Sequence, residues 1–515
     1  MSGLDIILAL DEVDDYLIED AKRQERGIPL WLKWTSIAVC FVCVAILTLL
    51  ALSRMLGGPA GTNPDRPDVL APGMEDSGEE FGGVPDPADS PEPRETEQEA
   101  LPETQPKEKT KVTLALDFDP TYTIVEAAID GFNARSEDYY VEAVSITGQE
   151  FTGDVFADNP VDAMTERERL DLWYDYLSSE NQTDIAVLGV PLKRFLLAGM
   201  RVDLNEVLDT GDILPGFWSA METGGGNYTL PIQTRVEAFV GKTEYVGSSD
   251  LLTTEEFLAL GDLGIPLFSD VTRELYVSAL TYEAQHCFVD WNQGTCDFTS
   301  PDFVALLEYA DRLIPAENGF PTEVEELLRH DDCLMATMAF DDFRLPYQLE
   351  YALVDAELTF LGWPNEPGGT FCPSGNIALL SGAPNAPGAI AFLQYVLSDE
   401  VQFQVAETTF PVTASGLRHQ CEVLMNAQEG NMVFSETPET TIDGITYEYR
   451  PMTQAEADKY TAWLGDIQTT SYWCIEISEI MQTECRDFLD GTATARETAE
   501  RIQTEVSEYL DTLNS

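Results

Sequence analysis

Histidine is almost absent from this chain. His286, His330 and His419 are the only three in 515 residues, which excludes a metal centre built from several imidazoles. Positive charge is scarce as well. The 28 lysines and arginines stand against 92 aspartates and glutamates, for a formal net charge of −64 at pH 7. Such a chain repels nucleic acid and anionic membrane surfaces, so no nucleic-acid partner is expected. The acidity itself reads as a solvated surface. The cysteines beyond residue 53 are Cys287, Cys296, Cys333, Cys372, Cys421, Cys474 and Cys485. None shows the paired CxxC spacing of a zinc site, and an odd number cannot all pair within one chain. "HCFVDWNQGTC" could close a small loop through Cys287 and Cys296. Catalytic signatures are missing too: neither GxSxG nor HExxH occurs. "GKT" at Gly241–Thr243 ends like a phosphate loop, but Val236 stands where its first glycine belongs. "DFDPTYTIVE" spaces its oxygens like a calcium loop, yet Tyr122 replaces the required glycine. Adjacent acids such as Asp341–Asp342 arise by chance among so many. No cofactor, no metal site and no catalysis are expected.

One apolar run is long. "WTSIAVCFVCVAILTLLALS", residues 34–53, carries no charge. Twenty helical residues rise about 30 Å, the thickness of a bilayer core. Lys22, Arg23, Arg26 and Lys33 precede it, and Arg54 alone follows closely. The run is therefore read as a transmembrane helix, with residues 1–33 cytoplasmic and the rest outside. The segment before it is too long for a signal-peptide n-region, and no small-x-small cleavage site follows Leu52. The expected location is the cell membrane, single-pass, with an extracellular domain. Residues 54–110, rich in proline and acids, cannot bury a core and read as a disordered linker.

From residue 111 the texture changes. "KVTLALDF" (111–118), "YYVEAVSI" (139–146) and "TDIAVLG" (183–189) read as strands. Helices fall between them, one of them at 123–136 with a capping box from Thr123 and Glu126. Alternation of this kind predicts a parallel sheet covered on both faces. The C-terminal helix opens with a second box, Thr494–Glu497, and its stripe is Ala499, Ile502, Val506 and Leu510.

The order of these pieces resembles the family 1 extracellular solute-binding proteins of ABC importers, the group related to maltose-binding protein. The segments that carry the resemblance are "AAIDGFNARSEDYYVEAVSI", "TDIAVLGVPLKRFLLAGMRVDLNEVLD", "NYTLPIQTRVEAFVGKTEYV", "GTCDFTSPDFVALLEYADRL", "FLGWPNEPGGTFCPSGNIALLSGAPNAPGAIAFLQYVLSDEVQ" and "FLDGTATARETAERIQTEVSEYL". Together they span residues 111–515. The resemblance implies a two-lobe α/β fold of the periplasmic-binding-protein type II, each lobe a mostly parallel sheet flanked by helices. Lobe one is expected over about 111–235 and 360–408, and lobe two over about 236–359 and 409–515. "NIALL" would re-enter the first sheet, Asn385 would cap the next helix, and Ala389, Phe392, Leu393, Val396 and Leu397 would pack on the sheet.

The resemblance also implies a function: capture of a small solute, most simply a carbohydrate, for an ABC permease. A sensor that signals to the cytoplasm is the alternative, and a surface glycosidase a third. Ligands of open α/β sheets sit beyond the carboxyl ends of the strands. By that rule and the resemblance, the candidate ligand residues are Asp119, Tyr122, Gln233, Arg235, Asp341, Phe343, Arg344 and Trp363. Aromatic faces with carboxylate and guanidinium hydrogen bonds suit a sugar. Arg235 and Arg344 are expected to reach it from opposite lobes.

Overall fold

The computed structural model describes residues 108–514, apart from 119, 121–122, 150, 152–163, 180–182, 189–200, 269–270, 292, 314–323, 427–438, 443–444, 449 and 472–473.

The strand–helix alternation builds the first sheet. Strand β1 (Thr110–Leu116) lies between β2 (Tyr139–Ser145) and β3 (Ile185–Leu188), parallel to both. Helix α1 (Ile124–Arg135) connects β1 to β2, and α2 (Glu166–Ser178) precedes β3. Val112, Leu114, Ala115 and Leu116 are fully buried, as strands covered on both faces require. Burying one such leucine contributes about 1.5–3 kcal/mol. "NIALL" does return to this sheet. It forms β8 (Asn376–Leu379), which pairs antiparallel with β3. Next comes α4 (Ala386–Val396), whose Ala389, Phe392, Leu393 and Val396 are fully buried. Asn385 holds the N-cap position but does not cap. Its Nδ2 donates to the Lys111 carbonyl at 2.7 Å, and the buried Asp184 accepts its backbone N–H. The other carboxylate oxygen of Asp184 takes the N–H of Thr113 at 2.8 Å, so one acid ties β1 to the entry of α4.

The second sheet departs from expectation. Its spine is β4 (Gln233–Lys242), and every neighbour is antiparallel to it: β5 (Met335–Phe340), β6 (Leu358–Leu361), β7 (Thr370–Ser374) and β9 (Phe410–Pro411). The mostly parallel second lobe is thus corrected to an antiparallel sheet. The reason is the path of the chain. The chain enters β4 from the crossing at Leu230–Ile232, and β7 runs straight back into β8 of the first sheet, so β4 and β7 run opposite to one another. Helix α3 (Arg273–Tyr282) and the C-terminal pair α5 (Ile475–Leu489) and α6 (Ala495–Asn514) cover this side. The stripe Ala499, Ile502, Val506 and Leu510 is buried as the periodicity predicted, and Thr494 and Glu497 form their capping box.

Two segments pass between the sheets side by side. Leu230 and Ile377 exchange backbone hydrogen bonds of 2.8 Å, and Ile232 donates to Ser374 at 3.1 Å. A third, Thr469–Ser471, bonds Phe371 on both sides. Along β4 the even residues Val236, Ala238 and Val240 enter the core that also holds α4. Phe239, on the opposite face, enters a separate core with Trp363 and α6.

The predicted membrane span, residues 34–53, lies outside the described residues, as do the cytoplasmic segment and the linker up to residue 107. Among the described residues no helix is long and apolar enough to cross a membrane. The single-pass membrane location is corrected accordingly, and no membrane placement is assigned. All seven described cysteines are free thiols. Cys287 and Cys296 are therefore not bonded, and the Cys287 thiol donates to Glu366 instead.

Candidate functional site

Strand parity sets the site. The odd residues of β4, namely Gln233, Arg235, Glu237 and Phe239, share one face. Their antiparallel partners lie on that face too: Ser374, Cys372, Thr370 and Leu361 on one side, with Ala339 and Thr337 on the other. The polar end of this face meets the apolar end at a narrow recess of about 20 Å³, lined by Glu237, Phe239, Glu283, Thr337, Trp363 and Ser471 among others. That space holds about one water and is far below the volume of small-molecule sites, so a ligand enters only if the recess opens.

Charge in the recess is partly compensated. Arg235 Nη2 donates to Glu237 Oε1 at 2.7 Å. Burial works against the guanidinium charge, but Glu237 and Cys372 more than offset it, so Arg235 stays charged. Burial pushes the Cys372 thiol up to about 12, and it stays protonated. Glu283, just past the end of α3, has its carboxyl pushed up to about 8 by burial, with the charge of Glu237 adding to the effect. The recess therefore offers an ion pair, an uncharged acid that can donate at neutral pH, the Ser471 hydroxyl and a tryptophan.

The structure sorts the predicted residues. Trp363 lines this recess, Arg235 is tied to it through the ion pair with Glu237, and Gln233 lies on the same strand face, half-buried. Asp341 follows β5. Its carboxyl is raised by burial and by Asp342, and opposed by Arg235 and Arg344. Phe343 is excluded as a ligand contact. It is fully buried and packs edge-on to Phe410 at 5.0 Å. Arg344 is committed elsewhere: its guanidinium binds Asp342 and donates to the Glu407 carbonyl at 3.0 Å. Both arginines are carried by the second sheet and its edge rather than by opposite sheets. Trp363 is 5% exposed and packs edge-on to Phe239 at 5.2 Å, so it serves the core as well as the recess. Asp119 and Tyr122 lie outside the described residues.

Two groups escaped the sequence reading. Glu237 follows Arg235 by two residues, and strand alternation alone would have placed both on one face. At the carboxyl end of β1, the buried Asp117 accepts from Arg169 Nη2 at 2.7 Å and from Trp173 Nε1 at 3.0 Å. The i, i+4 spacing of Arg169 and Trp173 on α2 was its signal. A larger and more open groove, about 450 Å³, runs between Arg167 of α2 and the glutamates of α5 and α6. Its one ion pair, Arg167–Glu479 at 2.9 Å, is exposed. Tyr509 is the one aromatic side chain in its lining, so the β4 recess is the better candidate.

No family model matches the chain, and no curated protein matches it. Solved structures do. A cyclic alpha-maltosyl-1,6-maltose binding protein from Arthrobacter globiformis is 14% identical, with 79% of this chain and all of that one covered, at a TM-score of 0.48. An ABC substrate-binding protein from Listeria monocytogenes in complex with cycloalternan is 13% identical, covering 78% and 100% at a TM-score of 0.46. An extracellular solute-binding protein of family 1 from Alicyclobacillus acidocaldarius is 13% identical, covering 78% and 99% at 0.48. At identities and TM-scores this low the likenesses carry no argument and assign no ligand.

Proposed function

We propose that this chain is a family 1 solute-binding protein, not an enzyme, that captures a carbohydrate and hands it to an ABC permease. One observation carries the reading: the β4 recess joins a tryptophan to an arginine–glutamate pair, a neutral acid and a serine hydroxyl. Sugars present apolar ring faces and paired hydroxyls, and this set answers both. In this reading lobe one comprises about 111–235 and 360–408, lobe two comprises about 236–359 and 409–515, and the crossing segments are the hinge. Gln233 and Asp341 extend the proposed site along the sheet, and Asp119 and Tyr122 are retained in it as ligand residues from the segment after β1.

The test is a thermal-shift and calorimetric screen of the full chain against mono- and oligosaccharides. A ligand at a hundred times its Kd adds about 2.7 kcal/mol of stability. Trp363→Ala is expected to weaken binding several-fold, since a desolvated ring contributes on the order of 1 kcal/mol beyond its area. Trp363 is also a core residue, so Glu237→Gln is measured beside it. That variant removes the charge partner of Arg235 while keeping the shape of the side chain, and it is expected to lose affinity. Binding of no saccharide in the screen, or unchanged affinity in both variants, overturns the reading.

A further inference from the structure

Scarcity of histidine made a metal site the least expected feature of this chain, yet the fold gathers three different donors at one buried point. His286 and Cys287 sit in the short turn of helix that follows α3, and Glu366 sits in the loop after β6, beyond Trp363. His286 Nε2 and Glu366 Oε2 are 2.8 Å apart. Cys287 Sγ is 3.3 Å from Glu366 Oε1 and 3.7 Å from His286 Nε2. The side chains of His286 and Glu366 are 9% and 11% exposed. Among the described residues this is the one group of three such donors whose ligand atoms all lie within 4.8 Å of one another.

Those separations can be judged against a metal. Zinc holds sulfur at about 2.3 Å and nitrogen or oxygen at about 2.0–2.2 Å in a tetrahedron, so its ligand atoms stand roughly 3.4–3.6 Å apart. The two separations that involve sulfur, 3.3 and 3.7 Å, bracket that range, and the N–O separation of 2.8 Å needs to open by about half an ångström. Sulfur and nitrogen meet different oxygens of the Glu366 carboxylate, and with one oxygen per residue the three donor atoms lie within 4.8 Å of one another, so a turn of that carboxylate is what brings a tetrahedral face together. His286 Nδ1 has no hydrogen-bond partner, so no contact there dictates which nitrogen carries the proton.

We propose that His286, Cys287 and Glu366 form a three-ligand site for a zinc-like divalent transition metal, with the fourth position left to a solvent or ligand atom. The mixed thiolate, imidazole and carboxylate set selects a borderline-soft ion over magnesium or calcium, which take oxygen ligands. On binding, the Cys287 thiol loses its proton to solvent and the imidazole binds in its neutral form, so proton release accompanies uptake. The metal would fasten the end of α3 to the loop 362–369 that carries Trp363. It thereby stiffens one wall of the recess, although the site stands whether or not that recess binds a sugar.

The experiment uses the full chain, stripped with a chelator and titrated with cobalt and zinc in excess magnesium, which occupies the acidic surface. One cobalt per chain is expected, with a near-ultraviolet thiolate-to-cobalt charge-transfer band and a tetrahedral visible spectrum. Zinc should abolish both signals. Cys287→Ser is expected to lose the charge-transfer band, and His286→Gln and Glu366→Gln to weaken zinc binding at least about tenfold. Cys287→Ser could fail to fold, so far-ultraviolet circular dichroism accompanies each variant and the other two stand in for it. Absence of the band in the parent overturns the proposal, as does a band that survives in folded Cys287→Ser. Parent-like zinc affinity in both His286→Gln and Glu366→Gln overturns it as well.

Discussion

Glu283 shows how one residue couples the recess to pH. Its carboxyl is raised to about 8, first by burial and then by Glu237, while His286 and Arg235 oppose the shift. The unfolded chain releases this proton near the ordinary glutamate value of about 4.3. The folded state holds it longer, so the contribution to stability is full below that value and fades as pH rises through about 8. Glu283→Gln keeps the shape and cannot ionise. It should match the parent near pH 4, gain on it steadily up to about pH 8 and stay ahead above that, by at most ~5 kcal/mol. Urea denaturation across that range checks it, and parallel curves for the two proteins would contradict the assignment. Phe343 and Arg344 teach a second lesson at this scale. They neighbour Asp341 in sequence, but one is core and the other is clamped.

At the scale of elements, α4 is the most tightly specified piece. Pro387 early in the helix sacrifices no hydrogen bond, and the next residue must be small. A Cβ on Gly388 would lie 2.6 Å from both Val112 Cγ2 and Tyr139 Cδ1. Gly388 is what lets α4 approach β1 and β2. Gly388→Ala should cost about 1–3 kcal/mol through overpacking, although alanine is the better helix former. Asp184 holds the same junction with two charge-assisted hydrogen bonds. Asp184→Ala should lower stability by roughly 3 kcal/mol, because each such bond is worth about 1.5–3. Both are read from chemical denaturation midpoints.

Across the whole molecule, the paired crossings are where hydrogen-bonded backbone links the two sheets. Gly375 joins β7 to β8 at φ +65°, and a Cβ there would meet Ile232 Cγ1 of the neighbouring crossing at 3.3 Å. Gly375→Val should destabilise by on the order of 1–3 kcal/mol. If the crossings are the hinge, it should also change the rate at which a bound saccharide dissociates, measured by stopped-flow tryptophan fluorescence. An unchanged rate in a folded variant would place the hinge elsewhere.

By itself the sequence determined what depends on local pattern. Strands β1, β2 and β3, the intervening helices, the return of "NIALL" and the stripe of α6 were legible, because two-faced burial and 3.6-residue periodicity are written in consecutive residues. The Thr494–Glu497 box was legible for the same reason. Tertiary structure alone decided the rest. The second sheet is antiparallel because of where its strands return, and a short apolar strand reads alike in either direction. Phe343 faces the core because packing, not spacing, fixes where a chain points after a strand ends. His286, Cys287 and Glu366 meet although Glu366 is 80 residues from His286. No local regularity links residues that far apart, and only the folded path of the chain brings a nitrogen, a sulfur and an oxygen donor to one point.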